Sequence, residues 1–183
     1  MRLYYTTKVA AESENKIPSI SLGGFKAKTP VPNSSFGNLF GDITKYTIDN
    51  DNDEYIGLIL KNESGGDVTD IVFTFTYPAT TYSNFEIAAV DVVVGADGSY
   101  IESVDNVHTS PLYATFVETG SPVNIGDLVD TALVGIWLKR VLNTTNIASD
   151  QEDYIYKASA SDNQYTQKTL ETEDEITLAV SWT

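Results

Sequence analysis

Carboxylates are the side chains in this chain whose spacing best suggests chemistry. The run Asp49-Asn50-Asp51-Asn52-Asp53-Glu54 sets oxygen donors at alternate positions, which suits a hard cation such as calcium. Asp49, Asp51 and Asp53 have the opening spacing of an EF-hand loop. The remainder departs from that pattern. Glu54 stands where a glycine makes the sharp bend, and Leu60 stands where a bidentate glutamate closes the coordination shell. A solvated turn is the better reading, with an irregular calcium site as its rival. Glu171, Glu173, Asp174 and Glu175 pose the same choice and read as a loop leading into a final strand. No cofactor or metal is expected.

Nucleophilic catalysis finds little support. His108 is the single histidine, and cysteine is absent, so neither a multi-histidine zinc site nor a thiolate is available. Ser103 and Ser110 lie near His108, but neither sits in a nucleophile-elbow pattern. Paired carboxylates at the right separation cleave glycosidic bonds, yet the 26 acidic residues leave no pair to select. No glycine-rich phosphate loop appears between a strand and a helix. The expectation is a protein without enzymatic activity.

Charge narrows the partners. With 26 acidic and 11 basic residues the formal net charge is −15, which disfavours surfaces that must offset phosphates or anionic lipid. Direct nucleic-acid contact and membrane association are therefore not expected. The bland meaning of the charge is solubility and self-repulsion. Residues 1–5 do not open a secretory signal, because no apolar run follows before Lys8 and Glu12. The eleven tyrosines suit either the margins of a β core or a binding surface, since their rings bury apolar area while the hydroxyl finds a partner. Tyr4, Tyr5, Tyr77, Tyr82, Tyr100, Tyr113, Tyr154, Tyr156 and Tyr165, with Trp137 and Trp182, are the residues concerned.

The elements that must position these groups read as strands. Arg2–Thr7, Tyr55–Lys61, Thr69–Tyr77, Phe85–Val94, Leu112–Glu118, Leu133–Leu142, Asp153–Ala158 and Ile176–Trp182 carry period-two or β-branched patterns, separated by Gly, Asp and Asn turns. Ile56, Leu58 and Leu60 share one face, as do Ile71, Phe73 and Phe75. Ile17–Leu22 reads as an edge segment because of Pro18. The span 132–142 also fits a helix, but Gly135 and its neighbours favour a strand. Residues 25–47 read as an extended, irregular connection pinned by Phe36, Leu39, Phe40 and Ile43. The expected fold is all-β: an antiparallel β-sandwich or jelly-roll-like domain over residues 49–183, with an extended amino-terminal arm or clasp over residues 1–48.

Four segments in order carry a family resemblance: Ser21-Leu22-Gly23-Gly24-Phe25, Asn38-Leu39-Phe40-Gly41-Asp42-Ile43, Glu54-Tyr55 through Lys61-Asn62, and Gly135-Ile136-Trp137-Leu138-Lys139-Arg140. Together they resemble virion structural proteins of tailed bacteriophages. The resemblance implies a β-rich neck, tail or capsid-associated component, made in the host cytoplasm and assembled in the virion. Its partners would be other virion proteins, in a homo-oligomer or symmetric assembly. It transfers no catalytic residues. It implies that Leu22, Phe25, Leu39, Phe40 and Ile43 anchor the amino-terminal segment, and that Trp137 and Arg140 mark a strand near the core or an interface. The rival from another class is a carbohydrate-binding module on a surface fibre or secreted protein.

Overall fold

The structure, a computed structural model, describes residues 1–31, 40, 53–76, 83–118, 122–142 and 177–181. Its strands are β1 (Arg2–Thr7), β2 (Gly24–Pro30), β3 (Glu54–Lys61), β4 (Val68–Thr76), β5 (Ser83–Val90) and β6 (Val93–Gly95). They continue with β7 (Gly98–Ile101), β8 (Val117–Glu118), β9 (Val123–Leu128), β10 (Leu133–Leu142) and β11 (Thr177–Ser181). An eight-stranded sheet runs β6-β7-β2-β1-β3-β10-β5-β8, and a three-stranded sheet runs β11-β4-β9. Every pairing among the described residues is antiparallel. The two sheets pack face to face as a β-sandwich-like fold, as the alternating hydrophobic pattern leads one to expect.

Central position explains the composition of β3 and β10. One face of each, Ile56, Leu58, Leu60, Ile136 and Leu138, packs with Ile71 and Phe73 of β4 in the core between the sheets. The other face, Tyr55, Ile59 and Trp137, joins Leu22, Ala88 and Ile101 in a second core. A strand buried on both sides needs apolar residues at nearly every position, and β3 reads Tyr-Ile-Gly-Leu-Ile-Leu for that reason. Glycine appears where the second core is thinnest. A Cβ at Gly57 would lie 2.9 Å from the Gly23 backbone nitrogen and 3.1 Å from Cη2 of Trp137.

Several expected elements take another form. Ile17–Leu22 is not a strand: Pro18 opens a 3-10 turn over Pro18–Ile20, the position its fixed φ suits. The start of the expected irregular connection is strand β2, which pairs with both β1 and β7. Phe85–Val94 divides at Asp91-Val92 into β5 and β6. Of Leu112–Glu118 only Val117 and Glu118 form a strand, because β5 pairs with them alone. The described part of residues 1–48 is built into the larger sheet. Strand β1 lies between β2 and β3, and Tyr5, Ala27, Val31 and Phe40 are buried in the inter-sheet core. The expected strand over Asp153–Ala158 lies outside the described residues.

Side chains take over where a ladder stops. Pairing of β1 with β3 ends at Tyr5↔Leu58. Beyond it the Gly57 carbonyl accepts from the hydroxyls of Thr6 (2.9 Å) and Ser21 (2.7 Å). Ser21 Oγ accepts the Thr6 N–H at 2.8 Å, and Thr6 Oγ1 accepts the Gly23 N–H at 3.0 Å. Both hydroxyl protons are thereby spent on one carbonyl, and each oxygen takes a backbone N–H in return. No polar group in this buried knot is wasted.

Two predictions follow from this packing. Gly57→Ala is expected to destabilise the protein by about 1–3 kcal/mol, the usual cost of overpacking a tight core, because the nearest obstacle is backbone; an unchanged denaturant midpoint refutes the close approach. The second concerns Tyr4, whose hydroxyl donates to Glu63 Oε1 at 2.6 Å. Burial, with help from Glu63, pushes its pKa from 10.0 to about 12. The folded state therefore holds this proton more tightly than the unfolded state. The corresponding stability is present below about pH 10 and is lost as pH rises through about 12. Tyr4→Phe is expected to flatten that alkaline loss in urea titrations across this window, and identical slopes count against it.

Candidate functional site

The residues singled out from sequence fall on both sides of the larger sheet. Phe40 lies in the inter-sheet core, its ring 5.6 Å from that of Phe85. Arg140, fully buried, lies 5.3 Å over the Phe40 ring and donates through Nη2 to the Phe40 carbonyl at 3.4 Å. Leu22 and Trp137 pack in the second core on the opposite face. Phe25 is half-buried and meets Tyr100 edge-on at 5.7 Å. Leu39 and Ile43 lie outside the described residues. The structure thus joins Phe40 to Arg140 and Leu22 to Trp137, but does not gather all of them at one surface.

Arg140 is held by charge as well as packing. Its Nε donates to Glu54 Oε2 at 2.7 Å, and Nη2 reaches the same oxygen. The pairing has a simple origin, since Arg140 and Glu54 are register partners on adjacent strands. Burial pushes the Glu54 carboxyl above its ordinary value, and Arg140 opposes that rise by charge and hydrogen bonding. On the opposite face Lys139 pairs with Asp53 at 2.9 Å and with its cross-strand partner Glu86 at 3.4 Å. Burial pulls the Lys139 pKa down, but the carboxylates of Asp53 and Glu86 outweigh it and the net shift is upward.

These contacts decide what the described part of the acidic run does. Asp53 and Glu54 are taken up by cations of the chain itself, whereas residues 49–52 lie outside the described residues. Residues 171–175 lie outside them as well. Among the described residues no group of three or more His, Asp or Glu side chains is arranged to hold a metal ion. His108 Nδ1 lies 3.0 Å from the Asp53 carbonyl. A carbonyl only accepts, so Nδ1 carries the proton in that contact.

A cavity that combines apolar walls with carboxylates forms where β5 stops short of β10. Their ladder ends at Gly135↔Val90, and the chain turns away through Asp91 and Val92 into β6. Leu133 and Val134 run on, paired among the described residues only with β3 on their other side. The gap is a cavity of about 730 Å³, within the range of ligand sites. Val90, Val134 and Trp137 line its buried part, with Trp137 only 1% exposed. Val93, Tyr100 and Tyr113 form a further wall. Asp91, Glu102 and Asn124 supply the polar groups, and no lysine or arginine lines it.

Apolar residues on the cavity wall, and next to them in the chain, are exposed. Val94, Leu112 and Tyr113 are each more than four-fifths exposed, at 81%, 81% and 82%, and Val93 is 51% exposed. Strand β6 ends the larger sheet and, among the described residues, pairs with β7 alone. Glu102 Oε2 accepts the Leu112 N–H at 2.8 Å, fixing the loop that carries Leu112 and Tyr113. Sequence reasoning named Trp137 but not Asp91, Glu102 or Val93 as site residues. The available signal was the consecutive valines Val93-Val94 ahead of a Gly-Ala-Asp-Gly turn. Of the tyrosines, Tyr4, Tyr5 and Tyr55 are buried and Tyr113 is exposed. Tyr77, Tyr82, Tyr154, Tyr156, Tyr165 and Trp182 lie outside the described residues.

Comparison with protein-family models, with curated proteins and with solved structures gives no match.

The ion pair yields a direct test. Arg140→Met leaves Glu54 buried without its guanidinium and is expected to cost about 3–5 kcal/mol. The double change Arg140→Met with Glu54→Leu is expected to recover most of that loss, since it removes both charges. A double variant no more stable than the single one in denaturant melts contradicts this account.

Proposed function

We propose that this protein is a structural component of a tailed-phage virion, acting through protein–protein contacts rather than catalysis. One observation carries the reading. Val93 and Tyr113 are exposed on the wall of one cavity beside the terminal strand of the larger sheet, and their chain neighbours Val94 and Leu112 are exposed as well. A free strand edge with apolar neighbours is prone to pair with another chain, and clustered exposed hydrophobics mark interaction surfaces. The sequence resemblance to virion proteins supplies the setting. The net charge of −15 suits contact with basic partners better than contact with packaged nucleic acid.

A carbohydrate-binding role uses the same cavity, because Tyr113 is exposed beside Asp91 and Asn124. The Trp137 ring, however, is spent against Gly57 and the second core, and it offers no open face for stacking a sugar. The assembly reading is therefore preferred. Mass spectrometry of density-purified particles, produced with the gene in its native context, is expected to find this chain in fixed stoichiometry to the major particle proteins. Complete, infectious particles that lack it overturn the reading.

A further inference from the structure

We propose that the cavity beside β6 receives an arginine or lysine side chain from an extended segment of a partner protein, and that this segment adds to β6 as a further strand. The inference rests on the assembly reading and names the partner's chemistry.

The backbone argument comes first. Strand β6 pairs with β7 through Val93↔Tyr100, Val94↔Ser99 and Gly95↔Gly98, leaving its opposite edge without a strand among the described residues. Extended segments bind such edges by continuing the ladder, with alternate side chains entering pockets. Val93 and its register partner Tyr100 both line the cavity. Cross-strand partners share a face of the sheet. A residue placed opposite Val93 on an added strand therefore points to the cavity side, while its neighbours meet the exposed Val94 side.

Charge then selects the side chain. Asp91 is exposed and makes no hydrogen bond or ion pair with the described residues. Glu102 uses one oxygen on the Leu112 N–H and keeps accepting capacity on the other. Both carboxylates face a mainly apolar cavity lined by no basic residue. A long cationic side chain answers each feature. Its methylenes cover Val90 and Val93, its charge meets the carboxylates, and the rings of Tyr100 and Tyr113 accept a cation on their faces. A second copy of this chain fits poorly. It would bring another −15 charge, with Asp91 just before its own β6 and Asp97 in the β6–β7 turn, toward the same carboxylates.

Short capped peptides of alternating valine and threonine, each with one central variable residue, test the proposal on the full chain by fluorescence anisotropy. The arginine-centred peptide is expected to bind saturably, at least about tenfold more tightly than a norleucine-centred one, and to weaken with salt. A glutamate-centred peptide is expected not to bind. Asp91→Asn with Glu102→Gln should reduce the arginine peptide to the norleucine level while thermal melts stay cooperative; Asp91→Asn alone serves if the pair unfolds. N-methylation at two successive backbone positions should abolish binding at one and spare it at the other, since alternate N–H groups face the ladder. Equal binding of arginine and glutamate peptides, indifference to both N-methyl groups, or no saturable binding overturns the proposal. Occupancy of the cavity by a cello-oligosaccharide in place of the peptide also overturns it. The outcome is independent of particle composition, so failure here leaves the virion reading to its own experiment.

Discussion

Burial of β3 on both faces is the constraint from which the rest of the architecture follows. One face needs the three-stranded sheet to cover Ile56, Leu58 and Leu60. The other needs the segment around Leu22, together with Ile101 and Val104, to cover Tyr55 and Ile59. Strand β10 runs beside β3 through eight consecutive register pairs, from Leu133↔Lys61 to Arg140↔Glu54, and inherits the same two-sided burial. The pair that ends this register is the ionic one. Glu54 and Arg140 lie on the inter-sheet face, where a lone charge is costly and a matched pair with several hydrogen bonds is tolerated. A slip of one residue would turn both toward the wrong core, so the pair also specifies register.

Where backbone ladders end, buried polar side chains complete the accounting. Asn62, fully buried just after β3, donates its amide to the carbonyls of Gly66, Leu128 and Val129 at 2.8, 3.0 and 3.1 Å. Its Oδ1 accepts from the Ser64 N–H and hydroxyl. One side chain thus ties the end of β3 to its own turn and to the connection between β9 and β10. The Thr6–Ser21–Gly57 knot does the same at the other end of the β1–β3 pairing. Buried groups must be satisfied, and these residues supply what a third strand would otherwise provide.

Long, regular strands were legible in the sequence, and the physical reason is periodicity. Val68–Thr76 and Leu133–Leu142 present alternating or doubly apolar patterns, which local reading captures. Strand β2 was missed because Gly24, two lysines and Pro30 have weak β character; its strand state comes from pairing with β1 and β7. Strand β9 was missed for a similar reason. Gly126 sits at φ +84, and the register with β4 shifts on either side of Ile71, so alternation breaks down. Leu112–Glu118 erred the other way: Leu112 and Tyr113 sit in an exposed loop, Ala114 and Phe116 pack against the second core, and only Val117 and Glu118 reach a strand partner. The Arg140–Glu54 pair lies 86 residues apart in sequence, and nothing local announces it.

The candidate site was less legible than the fold because it belongs to no single segment. Asp91 comes from the turn after β5, Glu102 from the residue that follows β7, Tyr113 from a loop, and Asn124 from β9. Their convergence is decided by a mismatch in strand length: β10 extends past the end of β5, and Gly135 lets β7 approach the junction. A Cβ there would lie 2.4 Å from Cγ2 of Ile101 and 2.6 Å from Cγ2 of Val90. The close packing at Gly135 and the opening beside Val134 are therefore two sides of one boundary. On one side the layers touch too closely for a methyl group. On the other the ladder has lost its partner, and apolar wall, acidic groups and strand edge are left together at the surface. A core this tightly determined fixes the wall of the cavity, while the exposed valines and Tyr113 remain the part that another chain has reason to cover.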